Sequence, residues 1–176
     1  QWPQYPTAMA ADRLVNKGIV VVASIGNSGP SGLYAAGAPG VGKKVIGTAS
    51  FDNTYTHQLA FSISPDNRLV GYNPAAGAPP APLSGTFPMA RTGTKTTTND
   101  ACSALPAGSL TDKVVLIRRG TCTFYMKATN AQNAGALGVV LYNNVAGALS
   151  PSVAGAPPIT IPVVAITRAD GELIDD

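Results

Sequence analysis

Residues 18–30 read GIVVVASIGNSGP, a continuous β-branched run that stops abruptly at Gly26, Asn27, Ser28, Gly29 and Pro30. An unbroken apolar run, in place of an alternating one, is the mark of a parallel strand buried on both faces. The residues that end it turn the chain sharply and leave one amide side chain, Asn27, at the strand's carboxyl end, where open α/β sheets gather ligands and reacting groups. Upstream, residues 7–17 predict a helix. Pro6 and Thr7 stand at its start, Ala8, Ala11 and Val15 fall along one face, and Gly18 stops it. Helix, glycine and buried strand over 19–25 make half of a βαβ unit. A loop of small residues, 31–44, then leads to a second short strand, 45–50 (VIGTAS), ended by Phe51, Asp52 and Asn53.

Composition narrows the class. Across 176 residues, 19 Gly and 15 Pro imply many turns and favour a β-rich α/β chain over a helix bundle. With 45% hydrophobic and 12% charged residues the chain is globular, not disordered. A net charge of +3, with Lys43-Lys44 and Arg118-Arg119 as the only adjacent basic pairs, excludes a nucleic-acid surface. No apolar run approaches the roughly 18 residues of a membrane span. The chain opens at Gln1, inside a helical approach and with neither an initiator Met nor a signal-peptide pattern. The expectation is an internal piece of a longer protein. Low charge and many Gly, Pro, Ser and Thr suit secretion.

From 56 to about 100, Pro74, Pro79, Pro80, Pro82 and Pro88 break any helix, and short apolar pieces such as 59–63 (LAFSI) suit only short or edge strands. Residues 92–98 read as a polar loop or exposed strand. The pattern sharpens after 101. A buried strand over 113–117 ends in the basic turn Arg118-Arg119-Gly120, and a helix over 123–134 has Thr123 as its N-cap. Along that helix Phe124, Lys127 (by its stem), Ala128, Ala131 and Ala134 recur at helical spacing. Gly135 stops the helix, and a strand over 138–142 runs to a turn at Asn143-Asn144. Strand, helix and strand in about 30 residues make a right-handed βαβ crossover. The Pro-rich loop 151–162 leads to a fourth strand, IPVVAIT, and Thr167 with Asp170 opens a further helix in capping-box fashion.

Cys102 and Cys122 admit three readings: a disulfide, a metal pair or two buried thiols. The sole histidine, His57, lies far along the chain and nothing supplies four ligands, so no metal is expected. The disulfide is preferred, and with it an extracellular compartment. Arg118, Arg119 and Gly120, at a strand-to-helix turn, are candidates for an anion or peptide-carboxylate contact, against solvated charge as the plainer alternative. Residues 37–42 (GAPGVG) lack the Lys-Ser/Thr ending of a phosphate loop. No cofactor is expected.

The order of these elements carries two family resemblances. Residues 1–55, with the strand ending in A-S-I-G-N-S-G and the following VIGTASFDN, resemble the subtilisin-like serine proteases. That resemblance implies an oxyanion-hole role for the Asn27 side-chain amide, and a wall of the substrate side-chain pocket formed by Ser24, Ile25 and Gly26. Residues 101–176 closely resemble the protease-associated (PA) domain, through Ala101-Cys102, KVVLIRRGTCTFYMKATNAQNAGALGVVLYNN and IPVVAIT. In subtilisin-like proteases that carry it, the PA domain is inserted between the oxyanion region and the nucleophile, which is the order found here.

The implied fold class is mixed, β-rich α/β: a βαβ remnant of a subtilisin-like sheet (1–55), a connecting segment that begins the insert (56–100), and a PA domain of swivelling β/β/α type (101–176). The family's triad motifs, D-T/S-G, H-G-T and G-T-S-M-A, are absent from the sequence. His57 stands in Tyr-Thr-His-Gln and reads as a surface histidine. Ser24 and Ser28 read as turn serines, since no motif places a base beside them. The sequence therefore points to an internal segment of a secreted subtilisin-like endopeptidase, with the remainder of the parent chain and a peptide or protein ligand as partners. Two alternatives are a stand-alone lectin-like or receptor-like binding module, and a hydrolase completed by a complementary chain. The pure chain is expected to turn over no broad-specificity peptide substrate and to take up no serine-directed covalent probe; labelling of any serine would overturn the missing-triad argument.

Overall fold

The computed structural model describes residues 2–32, 34–50 and 57–175, and the chain forms two compact units, Gln1–Thr56 and His57–Asp176. In the first, helix α1 (Pro6–Val15) starts on Pro6, whose fixed φ and missing N–H suit a first turn. It buries Ala8 and Ala11, while Val15 is half-buried. Gly18, at φ +83°, closes it: Gly18 N donates to Val15 O (3.0 Å) and Ile19 N to Leu14 O (3.2 Å), the paired bonds of a left-handed helix cap. Strand β1 (Val22–Ser24) then pairs in parallel with β2 (Ile46–Thr48), Val22 opposite Ile46 and Ser24 opposite Thr48. Asp12 of α1 steers the chain into β2 by accepting the Lys43 and Lys44 amides at 3.1 and 2.8 Å.

The parallel pairing expected of the 19–25 run is present, but its burial is not. The strand is three residues long, and Val20, Val22 and Ile46 are 77%, 61% and 57% exposed. A two-stranded sheet offers one neighbour per strand, so a run whose composition suits a central strand keeps its apolar surface open in this chain. Phe51, Asp52 and Asn53, expected to end the second strand, lie outside the described residues.

The second unit is a six-stranded sheet in the order β3-β4-β8-β7-β6-β5. Strands β3 (Leu59–Ile63) and β4 (Arg68–Pro74) form an antiparallel hairpin, and β4 meets β8 (Val163–Ile166) antiparallel through Asn73 and Pro74. Strands β5 (Met89–Arg91), β6 (Val114–Arg118), β7 (Gly138–Tyr142) and β8 run parallel. Residues 59–91, which yield only short or edge pieces to a sequence reading, thus contribute three strands, with β3 and β5 at the two edges.

Every residue of β7 and β8 is buried, as are the central three of β6. Alternation divides them between two cores. Val115, Ile117, Val139, Leu141, Val163 and Ala165 join Ala128, Ala131 and Ala134 at helix α2 (Phe124–Asn133). Leu116, Val140, Tyr142, Val164 and Ile166 join Val70 and Tyr72 of β4, with Ile174 of helix α3 (Arg168–Asp175) packed against them. Both expected N-caps form: Thr123 Oγ1 accepts the Met126 amide at 3.2 Å, and Thr167 Oγ1 accepts the Asp170 amide at 3.2 Å while donating to Asp170 Oδ2 at 2.7 Å.

Helix α3 seats directly on the Tyr142 side chain, because Gly171 leaves no room for a Cβ above it. Burial first, and the Asp175 carboxylate second, push the Tyr142 phenol up to about 12. A raised folded value means the stabilisation is complete below the unfolded value of about 10 and is lost as pH climbs through 12. Tyr142→Phe should therefore lose about 2–3 kcal/mol less stability than the parent between about pH 10 and about pH 12, measured by urea denaturation. Parallel curves for the two proteins across that interval would refute the assignment.

Candidate functional site

The turn that follows β1 is built by close backbone approach. Ile25 N continues the ladder to Thr48 O (3.1 Å), and Ile25 O accepts the Gly37 amide at 2.7 Å. Gly26 turns the chain at φ +88°, a conformation that suits glycine. Asn27 then stands in an exposed bend, followed by a 3-10 turn over Gly29–Ser31. A Cβ on Gly40 would fall 2.6 Å from Ser24 O, and one on Gly47 would fall 2.6 Å from Gly40 O and 2.8 Å from Ile25 Cγ2. Gly37 and Gly40 thus bring the loop against the end of β1. Ser24 and Gly26 are exposed and Ile25 is half-buried, so the structure brings Ser24, Ile25, Gly26 and Asn27 together as one continuous rim.

In the second unit the carboxyl ends of β6, β7 and β8 are extended by two further backbone bonds, Arg119 N to Tyr142 O (2.8 Å) and Asn143 N to Ile166 O (3.3 Å). Here the sequence-selected residues meet structural partners. Arg118 donates its Nη1 to Thr97 O at 2.9 Å and its backbone amide to Asp100 Oδ2 at 2.8 Å. Arg119 Nη1 donates to Asn143 Oδ1 at 3.1 Å, and the buried Asn143 donates in turn to Gly147 O at 3.2 Å. Gly120 abuts the backbone of Thr98 with no space for a Cβ. Both arginines are half-buried and oriented by these bonds.

Cys102 and Cys122 form a disulfide with Cα atoms 5.7 Å apart. Beneath it lies a polar knot that sequence reasoning missed. Asp100, 3% exposed, accepts the Thr92 hydroxyl at 2.6 Å on Oδ1 and the Arg118 amide on Oδ2, while its carbonyl accepts Lys127 Nζ. Asn130 Nδ2 holds the next carbonyl, of Ala101, at 2.9 Å. Lys127 is fully buried, head as well as stem. Burial pulls its ammonium below the usual lysine value, against the Asp100 carboxylate, which raises it, with the Arg118 guanidinium lowering it further. Helical spacing marked Lys127 as core-facing, but no local signal shows that a carbonyl would meet its ammonium there. Asp100→Ala should destabilise the chain by about 2–4 kcal/mol in thermal unfolding, because Thr92 and the Arg118 amide are left unpaired. A change below about 0.5 kcal/mol would mean that the knot is incidental.

Among the described residues there is no group of three or more His, Cys, Asp or Glu placed to hold a metal ion. No helix among them is long and apolar enough to cross a membrane.

A family profile described as the PA domain matches residues 81–174. Along its length the chain is similar to the minor extracellular protease Vpr of Bacillus subtilis (strain 168), 30% identical over 183 aligned residues, which cover 97% of this chain and 20% of that protein. It is also similar to leucine aminopeptidase 2 of Trichophyton equinum, 37% identical over 75 residues, covering 42% of this chain and 15% of the relative. Among solved structures, BSAP, a zinc aminopeptidase from Bacillus subtilis, superposes with a TM-score of 0.51 at 30% identity, over 66% of this chain and 30% of that one. The chain therefore spans 20% or less of the length of these curated relatives.

Proposed function

Because the chain belongs to the PA domain family, we propose that it is a non-catalytic segment of a larger extracellular peptidase, contacting peptide or protein and governing access to an active site completed by the rest of the parent chain. The observation that carries this reading is the reach of the alignment. Similarity to an extracellular protease extends over 97% of the chain and so takes in both compact units, whereas the aminopeptidase match covers 42%. The disulfide suits an extracellular setting.

The finer reading assigns the parent to the subtilisin-like serine endopeptidases, on the strength of the first unit: helix α1, a parallel β1–β2 pair, and Asn27 exposed just beyond the carboxyl end of β1. The open apolar surface of β1 and β2 is what a strand pair would carry if the parent's sheet continued beside it. In that parent, a serine hydroxyl from elsewhere in the chain attacks the scissile carbonyl carbon as a histidine takes its proton. Asn27 Nδ2 then donates to the oxygen as it gains negative charge, a bond strongest in the transition state. Ser24, Ile25 and Gly26 flank the substrate side chain.

A second reading, as the PA domain of a zinc aminopeptidase, is favoured by the superposition on BSAP. The two are separated by expressing the full reading frame that contains this segment. A serine-directed inhibitor should abolish its activity and a metal chelator should spare it; the opposite result selects the aminopeptidase. In the same enzyme Asn27→Ala should lower kcat by about 10²–10³ with KM little changed. A kcat within about twofold of the parent would remove Asn27 from the machinery.

A further inference from the structure

The disulfide joins two cysteines in unequal surroundings. Cys102 Sγ has Lys127 Nζ and the Thr121 hydroxyl each 3.8 Å away. Among the described residues no comparable donor faces Cys122 Sγ. Thr121 can turn its proton from Thr98 O, 3.4 Å distant, toward the sulfur. Both cysteines are half-buried and both have exposed neighbours, Ser103 beside Cys102 and Thr121 and Thr123 beside Cys122, so a small thiol can approach the bond. Lys127 already holds the Asp100 carbonyl, and its Nζ lies within reach of Cys102 Sγ as well, so the cation that braces the knot also sits against one sulfur of the bond.

We propose that Cys102–Cys122 is a reducible latch opened by small extracellular thiols, in which the incoming thiolate attacks Cys122 Sγ and Cys102 departs as a thiolate held by Lys127. The attacking sulfur's electron pair forms a new S–S bond to Cys122, and the pair of the old bond leaves on Cys102 Sγ. A second thiol then attacks the small-molecule sulfur of the mixed disulfide, freeing Cys122. Two molecules of thiol are oxidised to one disulfide, and the protein's disulfide is reduced to two thiols. The Lys127 ammonium, 3.8 Å from Cys102 Sγ, favours the thiolate; the Asp100 carboxylate and the Arg118 guanidinium act on Lys127 in opposite senses, and Asp100 is already engaged by Thr92 and the Arg118 amide. A leaving thiol next to a cation departs faster than an ordinary one, and stabilising the reduced form makes the pair easier to reduce. Opening removes the covalent tie between Cys102 and Cys122, while Lys127 and Asn130 of α2 still hold the Asp100 and Ala101 carbonyls.

The test exposes the oxidised chain to limiting mercaptoethanol, quenches with acid and maps the mixed disulfide by mass. The adduct should sit on Cys122 in about tenfold excess over Cys102; equal labelling, an excess on Cys102, or no adduct overturns the proposal. Lys127→Met keeps the length of the side chain and removes the charge. It should abolish the preference and slow opening about tenfold, an effect on regiochemistry that a merely structural lysine would not have. Should that variant fail to fold by circular dichroism, Thr121→Val, at an exposed position, should erode the preference about twofold. Unchanged regiochemistry in whichever variant folds overturns the role given to Lys127 and Thr121.

Discussion

Strands β6, β7 and β8 bury both of their faces at once, and the second unit is arranged around that requirement. A strand apolar on both sides needs cover on both sides, so the chain must send one helix to each face. Helix α2, in the crossover from β6 to β7, covers one face with small alanines, and α3, following β8, covers the other with Gly171 set against Tyr142. The parallel registers then bring the carboxyl ends of three strands to a common edge, where Arg119, Asn143 and the capped start of α3 emerge together. The position of the basic turn is thus a consequence of two-sided burial.

The first unit shows the same rule with its condition unmet. Its strand has the composition of a central parallel strand, yet with one neighbour it keeps its valines in the open. What it does build is local: Gly37, Gly40 and Gly47 bring three stretches of backbone into contact and hold Ser24 to Asn27 as a rim. These contacts also show why a glycine-rich stretch without phosphate-loop chemistry occurs here.

Much of the fold was legible along the chain because its signals are local. Helix α2, its Thr123 cap, β7, β8 and the Thr167 cap follow from periodicity and capping residues within a few positions of one another. Strands β4 and β5 were not legible. RLVGYNP is interrupted by glycine and closed by proline, MAR is three residues long and follows a proline, and they become strands because β3 and β8, and β6, offer them edges to pair with. Of the site residues, Arg118, Arg119 and Gly120 were visible as a strand-to-helix turn. Their partners Thr97, Thr98 and Asn143 were not, since those contacts span more than twenty residues.

By itself, the sequence determined the chain's class, the strand–helix–strand order of its second half, the helix caps and the absence of triad motifs, all of which depend on residue identity and short-range spacing. It also singled out Cys102 and Cys122 as a pair. Only the tertiary structure decided what surrounds them: that Asp100 and Lys127 meet beneath the disulfide, that one sulfur faces a buried ammonium while the other does not, and that the apolar run of β1 stays exposed. Each of these depends on which distant segments come together, and burial and electrostatics are properties of that assembled environment, which local spacing does not encode.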